Sequence, residues 1–233
     1  MLSRFICLNE NEYNRNLWLQ RTLAKIPSGS RILDAGAGEL RNKEYCSHLT
    51  YVSQDFCKYE GRGDGLGLHT GEWNTKNIDI ICDISSIPEP DNSFDVILCS
   101  EVFEHLPDAS MVIGEFSRLL KRDGVLIITA PFASLVHFSP YHYVSGFSRY
   151  WYEYHLPRND FDIKELSPNG DWFSYARQES FRLPRMARQY RDWCWPVAYV
   201  VAAFSGLYFV LRGVKAGAEE IACFGWHCVA IKR

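Results

Sequence analysis

No two cysteines in this 233-residue sequence form a CxxC pair, although eight cysteines are scattered from Cys7 to Cys228. Such spacing supplies neither a zinc site nor the disulfide framework of a small secreted domain. Reduced, mostly buried thiols of a cytosolic protein are expected instead. The opening stretch MLSRFICLNENEYNRN lacks the long apolar core of a secretory signal. Internal repeats and low-complexity linkers are also missing. There is no excess of basic charge: the formal net charge is −3, so no nucleic-acid partner is expected. What remains is globular in character, 47% hydrophobic and 23% charged. The length suits a single well-buried domain over residues 1–233 with elaborations.

Along the chain, Glu12 to Lys25 carries apolar or aromatic residues at Tyr13, Leu17, Leu19 and Leu23, which predicts an amphipathic helix. RILDAGAGEL reads as a short buried strand entering a glycine-rich turn, and TYVSQDF as a second strand ending at an acid. GRGDGLGLHTG, residues 61–71, is a loop by its glycines. IDIICDI and FDVILCSE are two further strands, Ala109 to Lys121 is an amphipathic helix, and VLIITAP is another strand. FDIKEL and ACFGWHCVAIK are the last strand candidates. Strands alternating with helices imply a mostly parallel sheet covered on both faces.

In such a sheet, ligands sit beyond the carboxyl ends of the strands. The first strand ends in Asp34-Ala35-Gly36-Ala37-Gly38, and the third glycine of a dinucleotide fingerprint is replaced by Arg41. A carboxylate just before the glycines repels a pyrophosphate and attracts a cation. S-adenosylmethionine (SAM) offers a sulfonium and an α-ammonium. Asp55, at the end of the second strand, suits the two ribose hydroxyls. Asp83 closes the third strand and suits the adenine amino group, with Ile84 packed on the ring. The ordered set points to SAM, where each acid alone does not.

The sequence resembles the class I SAM-dependent methyltransferases (methyltransferase type 11-like), in particular the small bacterial group associated with surface-polysaccharide biosynthesis. ILDAGAGE is similar to their first motif and SQDF to their acidic second strand. CDISSIPEPDNSFDVILCSEVFEHLPD is similar to the adenine-binding and fourth-strand motifs, and EFSRLLKRDGVLIITAPF to the following helix and fifth strand. The likeness runs from about Arg31 to Phe132. It implies a Rossmann-like α/β fold whose seven-stranded sheet is mostly parallel, with an antiparallel last strand inserted beside the fifth. It also implies a cofactor site at Asp34, Gly36, Ala37, Gly38, Asp55, Phe56, Asp83, Ile84, Ser100 and Glu101.

Transfer to a hydroxyl needs an aligned nucleophile and a proton acceptor. After the fifth strand come His137, Pro140, Tyr141, His142, Phe147, Arg149, Tyr150 and Trp151, aromatic faces interleaved with hydrogen-bonding groups. These suit a small-molecule, sugar or glycan-precursor acceptor. His137 is the candidate general base; ordering of the loop by His137 or His142 is the plainer alternative. Tyr141, His142 and Arg149 are candidate acceptor contacts, with packing or a surface ion pair as the alternative for Tyr141 and Arg149. A second reading takes Glu101, Glu104 and His105 as ligands of a divalent ion, completed by His137 or His142. Similar constellations occur in metal-dependent RNA 2′-O-methyltransferases and quinone-precursor O-methyltransferases. A third reading, from another class, is a SAM-binding regulatory or scaffold protein without turnover.

Residues of about 177–216 form a basic and apolar insertion before the last strand. Arg182, Arg185 and Arg188 share one helical face, continued by Arg191, and Cys194 to Leu211 carries no charge. Such a face suits contact with a membrane surface, or a homodimer interface through residues 177–214. A simple span is excluded, because the final strand must pair with VLIITAP on the same side of any membrane. Pro196 and Gly206 predict a kinked or broken helix. The expected location is the cytoplasm, with peripheral attachment to the inner face of the membrane left open.

Overall fold

The computed structural model describes residues 9–212 and 217–233. Cys7, Lys215 and the end of the expected insertion, 213–216, lie outside the described residues. The elements are α1 (Glu10–Leu23), β1 (Arg31–Ala35), β2 (Thr50–Asp55), β3 (Ile80–Ile81), β4 (Phe94–Ser100), α2 (Ala109–Leu119), β5 (Leu120–Pro131), α3 (Arg149–Arg158), β6 (Phe161–Asn169), α4 (Trp172–Gln189), α5 (Trp195–Arg212) and β7 (Gly225–Lys232). They fall into two compact units. One holds Leu17–Ser167 with Gly225–Arg233; the other holds Pro168–Phe224 and the N-terminal residues up to Asn16.

The first unit is built on a seven-stranded sheet in the order β3-β2-β1-β4-β5-β7-β6. β1 pairs in parallel with both β2 and β4, and β4 pairs in parallel with β5. Strand order therefore reverses at β1, which opens the crevice where ligands of such sheets bind. β7 runs antiparallel to β5, from Val125 opposite Ile231 to Pro131 opposite Gly225. This is the Rossmann-like α/β arrangement expected from the sequence. The central strands are apolar on both faces, as buried parallel strands must be. Leu19, Leu23 and Ile26 pack on Ile32, Val96, Leu98 and Ile127.

α2 begins where Asp108 caps the amides of Ser110 and Met111, at 2.9 and 3.3 Å. It ends at Leu119, two residues before the expected Lys121, because Leu120 already pairs with Phe94 of β4. The expected third strand shrinks to Ile80–Ile81, opposite Gln54 and Asp55. Asp83 therefore stands two residues past the strand, in a turn.

In the second unit, Asp171 caps α4 through the amide of Ser174 at 2.7 Å. The helix starts at Trp172 rather than near residue 177. α5 is continuous over 18 residues, so it is not broken at Pro196 or Gly206. Pro196 lies in its first turn, where no helical N–H bond is required. Gly206 admits the Phe181 ring of α4: a Cβ there would meet the ring at 2.7 Å. Among the described residues of α5 the buried positions are Ala198, Ala202 and Gly206, spaced by four, and they let the two helices approach closely. Among the described residues, no helix is long and apolar enough to cross a membrane.

Candidate active site

The turn after β1 is a backbone surface. Gly36 and Gly38 hold φ of +77° and +52°, a region that favours glycine. A Cβ at Gly36 would lie 2.5 Å from the Val102 side chain, and one at Gly38 2.6 Å from the Trp73 ring. The amides of Gly36 and Ala37 donate to the Gln54 carbonyl at 2.8 and 2.9 Å. Gly38 donates to Oδ2 of Asp55 at 3.0 Å, and Cys57 donates to its Oδ1 at 2.8 Å. Asp55 thus clasps the ends of β1 and β2 together. Each carboxylate oxygen retains accepting capacity beyond these bonds. Phe56 meets Tyr141 edge-on, with ring centroids 5.0 Å apart.

The other acids of the expected set are held differently. Asp34 is almost fully buried and accepts from the Tyr51 hydroxyl at 2.6 Å. Burial pushes its pKa up to about 6, against the bonds from Tyr51 and Asn42. Asp83 is exposed and accepts from the amide and hydroxyl of Ser85 at 2.9 and 2.7 Å. Those two bonds hold its carboxyl below the usual range. Ile84 beside it is buried. Ser100 shares a 2.8 Å bond with Thr129, whose hydroxyl donates to Oε1 of Glu101 at 3.0 Å. Glu101 itself takes a positive φ of +56°, and its amide donates to the Thr129 carbonyl at 2.8 Å.

Beyond β4 and β5 the chain assembles a histidine cluster. Glu104 is buried in the short turn after β4. His105 Nδ1 lies 2.6 Å from the Tyr141 carbonyl, and His137 Nδ1 lies 2.8 Å from the Leu135 carbonyl. A carbonyl only accepts, so each Nδ1 carries a proton, and Nε2 is the ring atom that faces Glu104. Both Nε2 atoms stand 3.8 Å from Oε1 of Glu104. The His142 ring centroid is 4.9 Å from that of His137, and both its ring nitrogens are buried without a hydrogen-bond partner. Burial, with the neighbouring His137 imidazole second, pushes the His105 pKa down to about 3. The same two causes lower that of His142. Glu104, His105, His137 and His142 are therefore brought together, while the described bonds of Glu101 run to Thr129.

Residues 61–71, read from sequence only as a loop, form a strap along this cluster. Leu68 donates to the Val136 carbonyl at 3.0 Å, and Phe138 donates to the Leu68 carbonyl at 3.3 Å. The Ser139 hydroxyl binds the Asp64 carboxylate. Side chains at Gly63 and Gly67 would strike the carbonyls of Ser139 and Val136. Tyr59, Trp73 and Phe138 close around it, with centroids 4.3 Å (Tyr59–Phe138) and 4.9 Å (Trp73–Phe138) apart. The recurrence of glycine at 61, 63, 65 and 67 was the available sign of a close backbone approach. Arg149, at the start of α3, pairs with Glu153 at 2.9 Å and lies over the Tyr150 ring.

A model of the methyltransferase domain family matches residues 9–196. The chain belongs to this family. This methyltransferase-family chain is 30% identical over 128 residues to a glycine/sarcosine/dimethylglycine N-methyltransferase of Actinopolyspora halophila, covering 50% of the chain and 21% of the relative. It is 25% identical over 111 residues to a ubiquinone biosynthesis O-methyltransferase of Neisseria meningitidis, covering 43% and 44%. The chain thus spans less than half the length of these curated relatives. Among solved structures, the [4+2]-cyclase SpnF shares the fold with a TM-score of 0.55 at 15% identity, covering 92% of this chain and 79% of that one. Phosphoethanolamine N-methyltransferase 2 of Haemonchus contortus, solved with SAM, has a TM-score of 0.54 at 16% identity, covering 95% and 52%. The fold alone therefore does not decide the activity.

The cofactor of the family is SAM, and the residues present fit it. The turn carries no side chain at Gly36 or Gly38, and the buried Asp55 carboxylate sits at the ends of β1 and β2 where ribose hydroxyls are bound in such sheets.

Proposed function

We propose that the protein is a SAM-dependent methyltransferase acting on a hydroxyl of a small-molecule, sugar or glycan-precursor acceptor. The observation that carries this reading is the His137 imidazole, its Nδ1 fixed on the Leu135 carbonyl and its Nε2 3.8 Å from the buried Glu104 carboxylate. An amine can attack as its free base, but a hydroxyl needs a proton acceptor. Relatives include both an N- and an O-methyltransferase, and this cluster favours oxygen.

When bound, SAM supplies an electrophilic methyl group. The chain's own residues do the rest. Gly36, Ala37 and Gly38 admit the cofactor to the backbone, Asp55 accepts from the ribose hydroxyls, Asp83 accepts from the adenine amino group, and Ile84 covers the ring. Phe56, Ser100 and Glu101 complete that side. Tyr141, His142 and Arg149 contact the acceptor. As the acceptor oxygen took the methyl group and the sulfonium sulfur left as the thioether of S-adenosylhomocysteine, His137 Nε2 would accept the hydroxyl proton. The adjacent Glu104 carboxylate stabilises the imidazolium that results. The test is formation of S-adenosylhomocysteine upon addition of acceptor, lost in His137→Ala while SAM binding persists.

We read the helical unit as an insertion within one methyltransferase domain, and we assign it a partner: an anionic membrane surface on the inner face of the cell membrane. Val197, Val200, Phe204, Leu207, Tyr208 and Leu211 of α5 are all exposed. Arg185 and Arg188 of α4 are exposed as well, and the Arg188 guanidinium lies over the Trp195 ring. An apolar, aromatic face beside exposed guanidinium groups suits acyl chains below and anionic headgroups above. Flotation with acidic liposomes tests it. A homodimer that forms without lipid and leaves the liposomes unbound would replace it.

A further inference from the structure

We infer that Glu104, His105, His137 and His142 form a binding site for one divalent first-row transition ion of the zinc class. The inference rests on the reading of this loop as the acceptor side of a methyltransferase, and adds what the loop holds.

Convergence is the first observation. One nitrogen from each of the three imidazoles lies within 4.8 Å of the others. Oε1 of Glu104 is 3.8 Å from Nε2 of both His105 and His137. A tetrahedral ion with bonds of ~2.0–2.1 Å keeps its ligand atoms about 3.3 Å apart, so small side-chain rotations close the set. Pre-orientation is the second. The Nδ1–H groups of His105 and His137 donate to the carbonyls of Tyr141 and Leu135. Ligating histidines are held in this way, with the far nitrogen bonded to a carbonyl or carboxylate.

The third observation is independent of both. His142 presents two buried ring nitrogens with no hydrogen-bond partner. Buried polar groups in folded proteins are nearly always satisfied, and a bound ion satisfies one of these. Imidazole predominance selects a zinc-like ion over Mg²⁺ or Ca²⁺, which prefer all-oxygen shells. Glu101 is not part of the set, being bonded to Thr129. With the ion bound, His137 is a ligand and the ion acidifies the acceptor hydroxyl; the proton transfer to His137 belongs to the ion-free protein.

The test uses Co²⁺, titrated into the untagged full chain after chelation and dialysis. The expected result is one saturable equivalent with the intense visible bands of four-coordinate cobalt, displaced by Zn²⁺ and unaffected by excess Mg²⁺. His142→Ala should lower the affinity by about tenfold or more with an unchanged circular dichroism spectrum, and Glu104→Gln should do the same. Asp55→Ala should bind cobalt as wild type does while losing SAM. No saturable equivalent, or equal affinity in His142→Ala, overturns the inference. Methyl transfer by a protein that binds no ion removes this site and leaves the proposed function standing. An ion bound by a chain that does not bind SAM supports the site and contradicts the function.

Discussion

The glycine turn after β1 and the histidine cluster after β5 are built by opposite means. The turn is local: within 22 residues, Asp34 to Asp55, lie the glycines, the Gln54 carbonyl that holds Gly36 and Ala37, and the carboxylate that holds Gly38. The cluster is assembled from a turn after β4, a long loop after β5 and a strap from residues 61–71, joined mostly through backbone carbonyls. The first can be read as a motif. The second exists only once the chain is folded, so single substitutions should separate the two functionally.

The largest effect is expected at the clasp. Asp55→Ala removes the acceptor for the amides of Gly38 and Cys57 and for the ribose hydroxyls together. SAM affinity should fall by about a hundredfold or more, as two charge-assisted bonds at ~1.5–3 kcal/mol each imply, measured by calorimetry. Next comes His137→Ala. It should cut kcat by roughly 10²–10⁴-fold, the usual contribution of general acid–base catalysis, with SAM affinity unchanged. If both substitutions weaken SAM binding equally, the two regions are not separate.

A third prediction concerns pH. The folded-state pKa of Asp34, about 6, lies above its ordinary value of 3.8. Burial raises it most; the facing Tyr51 and Asn42 lower it, and Asp55 raises it slightly. A carboxyl raised in this way costs stability once it ionises. The loss is absent below the unfolded value, grows between about pH 4 and 6, and reaches roughly 3 kcal/mol above that. Asp34→Asn should remove this slope from urea unfolding curves measured across pH 4–7. A parallel pH dependence in the variant would contradict the account of Asp34.

How far the sequence could be read follows the same division. The strands themselves and the positions of Gly36, Gly38 and Asp55 follow from local patterns, whereas the antiparallel β7 beside β5 comes from the resemblance to class I methyltransferases, because it pairs segments about 100 residues apart. The short β3 was hidden, since IDIICDI is apolar enough for a full strand while Asp83 and Ser85 turn the chain early. The unbroken α5 was misread because Pro196 falls in the first turn and Gly206 serves a packing contact with Phe181. The metal reading groups Glu104 and His105 with His137 or His142, and errs in adding Glu101; the strap depended on contacts between segments up to 75 residues apart, such as Asp64 with Ser139, which were not visible locally.

Two smaller effects sharpen the contrast with the helical unit. Gly206→Leu should force α5 away from Phe181 and destabilise the protein by about 1–3 kcal/mol, seen in thermal unfolding. Arg185→Glu with Arg188→Glu should abolish flotation with acidic liposomes while S-adenosylhomocysteine formation on a soluble acceptor stays at the wild-type rate. Equal flotation of the two proteins would remove the arginines from the membrane contact.

The most direct measurement of the central claim is product analysis. Wild-type protein is incubated with SAM and a panel of nucleotide sugars and lipid-linked glycans, and both products are followed by mass spectrometry. S-adenosylhomocysteine should appear together with a single-methyl increment on a hydroxyl of one acceptor, and neither should appear with His137→Ala. Tight SAM binding with no methylated product across hydroxyl acceptors, or a methyl group found on an amine at a rate His137→Ala does not change, would contradict it.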